Sequence, residues 1–248
     1  SMALDTMDPG LAAAAGRAYN DWMFDFCKEH PGRIYGAGHI APYDVDAAVS
    51  ETRRCGEELG FKAVFLRPDI VNNRQWDDPY YNAIWAECQR LGLPVGFHAG
   101  GRSPGLTQVG DREFGSSPLA LHHVYSHSMT MMLALGSFCG GGILQRFPEL
   151  RVAFLEGNCA WAPWLLWRLD EHYEWRSFDF PELTMFPSEY FKRQGFVSVE
   201  CDEWPAKYVE DAGYGNNVVF STDFPHPDSK YPHAVDSFMG LEIDEDSK

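Results

Sequence analysis

The stretch FSTDFPHPD, residues 220–228, completes an apolar run that begins at Val218. A continuous apolar run of this kind is typical of a strand buried on both faces, and the prolines that follow predict a turn. A carboxylate at the end of a buried strand costs free energy unless it is paired or binds a metal. In barrels of alternating strands and helices, the chemistry is located at that end of each strand. Asp223 is therefore the first candidate site residue.

Two more apolar runs end in the same manner. LPVGF, residues 93–97, is followed by His98, and LRVAFL, residues 150–155, is followed by Glu156. Because the carboxyl ends of parallel strands meet at one rim, we expect His98, Glu156 and Asp223 to converge. Imidazole and carboxylate groups are good ligands for a divalent cation. The three residues predict a metal site at this rim.

Strand patterns alternate with helical patterns along residues 1–248, and no linker divides the chain. Alternation of this kind predicts an α/β fold with a parallel sheet covered by helices, in one domain. A barrel and a doubly wound sheet both fit, but no glycine-rich dinucleotide fingerprint follows a strand, which disfavours the Rossmann fold. The six predicted strands lie within residues 34–41, 61–66, 93–97, 150–156, 196–201 and 217–223.

The composition excludes several kinds of partner. The formal net charge of −16 argues against binding to nucleic acid and to an anionic membrane surface. The six cysteines are widely scattered, which predicts reduced thiols and a cytoplasmic protein. The predicted partners are a small-molecule substrate and a second copy of the chain, in a homo-oligomer that we expect to be a dimer.

Long phrases of the sequence resemble one family. FPELRVAFLEGNCAWAPWLLWRLDEHYE (147–174), GFHAG (96–100) and FSTDFPHPDSKYPHA (220–234) resemble the amidohydrolase-related family of metal-dependent barrels. This family includes aminocarboxymuconate semialdehyde decarboxylase, resorcylate-type decarboxylases and hydrolases. The resemblance runs from about Asp8 to His233, which is nearly the whole chain.

The resemblance implies a (β/α)8 TIM-like barrel of which the third to the eighth strands are visible here. His98 matches the family's ligand at the end of the fifth strand, and Asp223 matches the ligand at the end of the eighth. Glu156 stands where many members have histidine. No His-x-His pair precedes His98, so we expect a barrel that is N-terminally truncated relative to the family. The implied cofactor is a divalent metal, with Zn²⁺ first and Mn²⁺ second.

Other polar residues are candidates for substrate contacts. Arg67 ends a predicted strand and can grip a substrate carboxylate, or it forms a surface ion pair. His123 and His127 share one face of a helix at i, i+4 spacing. Asn158 offers a polar contact or shapes a turn. His226, in the PHP turn, is expected to support Asp223 from outside the ligand set.

The first functional interpretation is a metal-dependent hydrolase that acts on a small carboxylate, ester, thioester or amide, with Glu156 and Asp223 as catalytic residues. The alternative is a non-oxidative decarboxylase of an aromatic or muconate-type acid. A third interpretation, from another class, is a non-catalytic barrel module that assembles with a partner subunit.

The tryptophans with helical spacing are predicted to lie in the core: Trp22, Trp76, Trp85, Trp161, Trp164 and Trp167.

Overall fold

A computed structural model of the chain describes residues 7–98, 119–227, 229–245 and 248. These residues confirm the predicted α/β fold, with six strands in one parallel sheet. The strands follow one another in chain order across the sheet. They are β1 (Ala37–His39), β2 (Ala63–Leu66), β3 (Val95–His98), β4 (Val152–Leu155), β5 (Gly195–Val199) and β6 (Val218–Phe220).

Helices connect the strands in the alternating pattern that the sequence predicts. Short 3-10 turns flank several of them, at Pro79–Tyr81, Ser177–Asp179, Trp204–Ala206 and Gly215–Asn217. Within the described ranges the helices are α1 (Pro9–Cys27), α2 (Val45–Glu57), α3 (Asn82–Leu91), α4 (Leu119–Cys139), α5 (Ile143–Arg146), α6 (Ala162–Trp175), α7 (Pro187–Gln194), α8 (Lys207–Asp211) and α9 (Ala234–Met239).

Helix ends follow from local sequence chemistry. Asp8 accepts a hydrogen bond from the Leu11 N–H at 2.8 Å, so it caps α1, and Pro9 is the first helical residue, which is the arrangement that an Asp-Pro pair predicts. Gly92 ends α3 in the left-handed conformation, with φ of 66°. The three consecutive glycines at 140–142 predict a helix break, and a break is present there between α4 and α5.

The sheet is open among the described residues. β1 pairs only with β2 and β6 only with β5 in this part of the chain, so the six strands form an arc of a barrel. The parallel register aligns the carboxyl ends, with His98 opposite Leu155 and Val199 opposite Phe220. The predicted glycine-rich loop at 99–117 lies outside the described residues. No helix in the described part of the chain has the length and apolar character needed to span a bilayer.

The core lies between the sheet and its helices and is rich in aromatic side chains. Trp76 and Trp85 are buried in it, as predicted. The prediction was wrong for Trp22, Trp164 and Trp167, each of which is more than half exposed. Helical spacing indicates which residues share a face of their helix, but it does not reveal whether that face meets the sheet or solvent.

Candidate metal centre and active site

The ends of β3 and β4 bring His98 and Glu156 into contact. His98 is the last residue of β3, and its Nδ1 lies 3.2 Å from Oε2 of Glu156, the residue after β4. The Glu156 side chain is only 14% exposed, whereas that of His98 is 49% exposed. The Glu156 N–H donates to Ser198 Oγ of β5 at 2.8 Å, which fixes the backbone at this point.

Asp223 and His226 approach Glu156 from the segment after β6. Nδ1 of His226 lies 3.5 Å from Oδ2 of Asp223 and 3.8 Å from Oε1 of Glu156. One ligand atom from each of these three residues lies within 4.8 Å of the others. The Glu156 carboxylate therefore has an imidazole near each of its oxygens.

The backbone is held in an uncommon conformation where these carboxylates leave the sheet. Glu156, Asn158 and Asp223 have positive φ angles of 58°, 61° and 53°. Residues other than glycine adopt this left-handed region rarely and at a cost in free energy. Such angles turn the chain sharply after the strand and direct the side chains of Glu156 and Asp223 across the rim.

The donor atoms suit a divalent cation. Ligand atoms that share one ion lie about 3–4 Å apart, because each is roughly 2.0–2.2 Å from the metal. The 3.5 and 3.8 Å separations from His226 fall in this range. Two carboxylates with one or two imidazoles form a mixed oxygen and nitrogen set, which suits Zn²⁺ and Mn²⁺.

A cavity of about 440 Å³ opens beside this group. The lining combines acidic side chains from three strand ends with polar groups of α4. Among the described residues the lining comprises His123, Val124, His127, Ser128, Glu156, Asn158, Glu200, Asp202, Glu203, Asp223 and Lys230. The volume is sufficient for a small organic acid.

Burial and mutual repulsion change the proton affinity of the carboxyl groups. Burial raises the pKa of Glu156, nearby His98 lowers it, and Asp223 raises it again. Burial also raises the pKa of Glu200 to about 7, with added repulsion from Asp223 and Glu203. In the metal-free protein Glu200 therefore titrates near neutral pH.

The rings of His123 and His127 on α4 contact each other beside the cavity, with centroids 3.8 Å apart and planes tilted by 33°. Burial, and then the proximity of His123, lowers the pKa of His127 to about 4. His127 is therefore a neutral imidazole at pH 7, and its Nδ1 lies 3.2 Å from Ser126 Oγ. A neutral imidazole can donate or accept one hydrogen bond toward a ligand.

Three of the four residues predicted to contact the substrate line this cavity. His123, His127 and Asn158 line the cavity, whereas Arg67 is not among its described lining residues. Arg67 forms an ion pair with Asp69 at 2.9 Å, and both side chains are largely buried, so this is not the surface pair named as the alternative. Its role toward a substrate stays a prediction. His226 lies within ligand distance of Glu156 and Asp223. Its predicted role, to support Asp223 from outside the ligand set, stays a prediction.

Sequence reasoning missed several cavity residues. Glu200 follows β5 just as Glu156 follows β4, so the strand-end rule would have found it. Glu203 is a buried carboxylate that accepts hydrogen bonds from the N–H groups of Cys159, Ala160 and Glu200 at 2.9–3.2 Å. It joins the loops after β4 and β5, a long-range role for which the sequence offers no signal.

Comparison with curated proteins identifies decarboxylases as relatives. The chain is 28% identical over 213 residues to 2-amino-3-carboxymuconate-6-semialdehyde decarboxylase of Dictyostelium discoideum, covering 84% of this chain and 55% of the relative. It is 28% identical over 245 residues to γ-resorcylate decarboxylase of Rhodococcus jostii, covering 92% and 71%. The chain thus spans little more than half the length of the first relative.

A solved structure shares the fold. Dihydroxybenzoic acid decarboxylase from Polaromonas, determined with bound manganese and the inhibitor 2-nitroresorcinol, superposes with a TM-score of 0.77 at 22% identity. The match covers 98% of this chain and 73% of that protein. The profile described as amidohydrolase matches residues 1–246. The chain belongs to the amidohydrolase family, as its sequence phrases predicted.

Proposed function

We propose that this chain is a metal-dependent carboxy-lyase that removes CO₂ from a small aromatic or muconate-type acid. The observation that carries the proposal is the convergence of Glu156, Asp223 and His226, with His98 in contact, beside a cavity at the carboxyl ends of the strands. The relatives named above are decarboxylases, which favours this alternative over the hydrolase of the first interpretation.

The metal would be held by Asp223 and His226, with His98 as a further ligand. When bound, the ion would supply positive charge that holds oxygen atoms of the substrate and stabilises the negative charge formed during the reaction. We propose Mn²⁺ ahead of Zn²⁺, because the Polaromonas enzyme was determined with manganese.

Glu156 would move the proton. Decarboxylation breaks the bond between the ring carbon and the carboxylate, and the same carbon must receive a proton as CO₂ leaves. The Glu156 side chain lines the cavity and is only 14% exposed, and burial favours its protonated form, so this carboxyl group can hold the proton that the carbon receives and regain one from solvent afterwards. Positioned general acids contribute about 10²- to 10⁴-fold to rate.

The remaining lining residues would position the substrate. Neutral His127 and its neighbour His123 offer an apolar ring surface and hydrogen-bonding nitrogens to an aromatic acid. Asn158 offers an amide at the edge of the same cavity. Residues 1–248 would act together as one catalytic unit.

The test is metal-dependent release of CO₂. Chain loaded with Mn²⁺ or Zn²⁺ is incubated with γ-resorcylate and related hydroxybenzoates, and CO₂ and the decarboxylated phenol are quantified. We expect one ion per chain and turnover that EDTA abolishes. Hydrolysis of aryl esters or amides without CO₂ release would instead support the hydrolase. A folded chain that retains no metal would support the non-catalytic module.

A further inference from the structure

The cavity beside the candidate metal centre is strongly acidic. Its described lining includes the carboxyl groups of five residues, Glu156, Glu200, Asp202, Glu203 and Asp223, and a single lysine, Lys230. A bound divalent ion offsets only part of this negative charge, so a further cation helps to hold an anionic substrate. Within this described lining, the ammonium of Lys230 is the only lysine or arginine charge available.

Lys230 lies on the lining of the cavity, and its side chain is half exposed. Its Nζ lies 3.0 Å from Oδ2 of Asp202, and the side chains of Lys230 and Asp202 are 49% and 55% exposed. An ion pair this exposed is weak, since water screens both charges. The ammonium has three donors, so it can bind a ligand carboxylate while it remains near Asp202.

The other basic side chains of this region are less suited to the task. His127 is buried and neutral at pH 7. Arg67 is paired with Asp69 and lies outside the described lining. Among the described lysines and arginines, Lys230 alone combines a position on the lining with a half-exposed side chain.

We infer that Lys230 recognises the carboxylate of the substrate and makes the cavity selective for acids over neutral phenols. This inference rests on the proposed decarboxylase function, which supplies an aromatic acid as the substrate class. Lys230 would be a specificity residue that binds the acid at the cavity mouth. It would have no part in moving the proton.

The test compares an acid with its neutral counterpart. Binding of γ-resorcylate and of 1,3-dihydroxybenzene to the Mn²⁺-loaded chain is measured by calorimetry for the wild type, Lys230→Met and Lys230→Arg. Lys192→Met is the matched control, because Lys192 is exposed on α7 and is not among the described lining residues. The same variants are assayed for KM and kcat.

We expect Lys230→Met to weaken acid binding roughly tenfold, as for loss of one charge-assisted hydrogen bond, and to leave binding of the neutral phenol unchanged. For Lys230→Met, KM would rise with little change in kcat. Lys230→Arg would retain most of the wild-type affinity for the acid. The control Lys192→Met would match the wild type. Equal loss of both ligands, or no loss of either, would overturn the inference. If the variants bind the two ligands as expected but the wild type releases no CO₂, the decarboxylase function is refuted and acid recognition by Lys230 is supported.

Discussion

His98 Nδ1 and Glu156 Oε2 lie 3.2 Å apart, although the residues are 58 positions apart in the chain, His98 at the end of β3 and Glu156 directly after β4. Adjacent parallel strands bring their carboxyl ends together, and the register of β3 against β4 places His98 opposite Leu155. The contact therefore depends on the sheet, and it positions the carboxyl group that we propose moves the proton.

Removal of the Asp223 carboxylate should remove the metal. We expect Asp223→Asn to lower metal affinity by at least about a hundredfold, since even residues that only support a ligand contribute 10- to 100-fold. The free energy of unfolding of the metal-free protein should change by less than about 1 kcal/mol. Metal content by mass spectrometry and urea unfolding measure the two effects. Asp202→Asn, an exposed carboxylate of the same cavity, is the control.

The variant Glu156→Gln should show whether Glu156 carries the proton or binds the metal. The amide retains the shape of the side chain but cannot donate an acidic proton, so we expect turnover to fall by about 10²-fold or more. Metal content should remain close to that of the wild type. Loss of metal as severe as in Asp223→Asn would identify Glu156 as a ligand and refute the proton role.

Glu200 should make the metal-free protein less stable as pH rises. Its pKa in the folded chain is raised to about 7, above the value of 4.5 for an unperturbed carboxyl group. The folded state therefore binds more protons than the unfolded state between about pH 4.5 and pH 7, and stability falls as pH rises through this window.

Substitution of Glu200 tests this directly. Glu200→Gln should stabilise the metal-free protein above pH 7 by about 1–2 kcal/mol, a figure discounted because the carboxyl group is only partly buried. At pH 4.5 the variant and the wild type should be equal. Urea unfolding in EDTA at both pH values provides the measurement. A gain of the same size at both pH values would exclude titration of Glu200 as the cause.

Glu203 should contribute to stability rather than to chemistry. It is buried and accepts backbone N–H groups from two loops, so Glu203→Ala leaves those donors without an acceptor. We expect a loss of about 2–4 kcal/mol in the free energy of unfolding. Glu171→Ala, which breaks an exposed pair with Arg168, should cost less than about 0.5 kcal/mol. Similar losses in the two variants would contradict the assignment.

The predicted dimer can be tested at α4. Leu121, Tyr125, Met129 and Leu133 form an exposed apolar row at i, i+4 spacing on this helix. Exposed apolar patches often mark contact surfaces. We expect a dimer by light scattering and a monomer for Leu133→Lys, whereas Leu11→Lys on exposed α1 should remain dimeric. A monomeric wild type would refute the prediction.

Local sequence accounts for much of the fold. Continuous apolar runs predicted all six strands, and capping aspartates, glycines and prolines predicted where α1, α4 and α7 begin or end. Helix orientation was harder, since the sequence does not show which face of α6 meets the core. Trp164 and Trp167 were therefore predicted to be buried and are exposed.

Local sequence features identified the residues at the carboxyl ends of the strands, because a buried strand and the polar residue that follows it are both visible in a short stretch of chain. His98, Glu156 and Asp223 were found in this manner. Tertiary structure decided that His226 lies within ligand distance of Glu156, that Arg67 turns to Asp69, and that Lys230 pairs with Asp202. Such contacts depend on the path of loops after the strands, and long-range hydrogen bonds fix that path, as between Glu156 and Ser198.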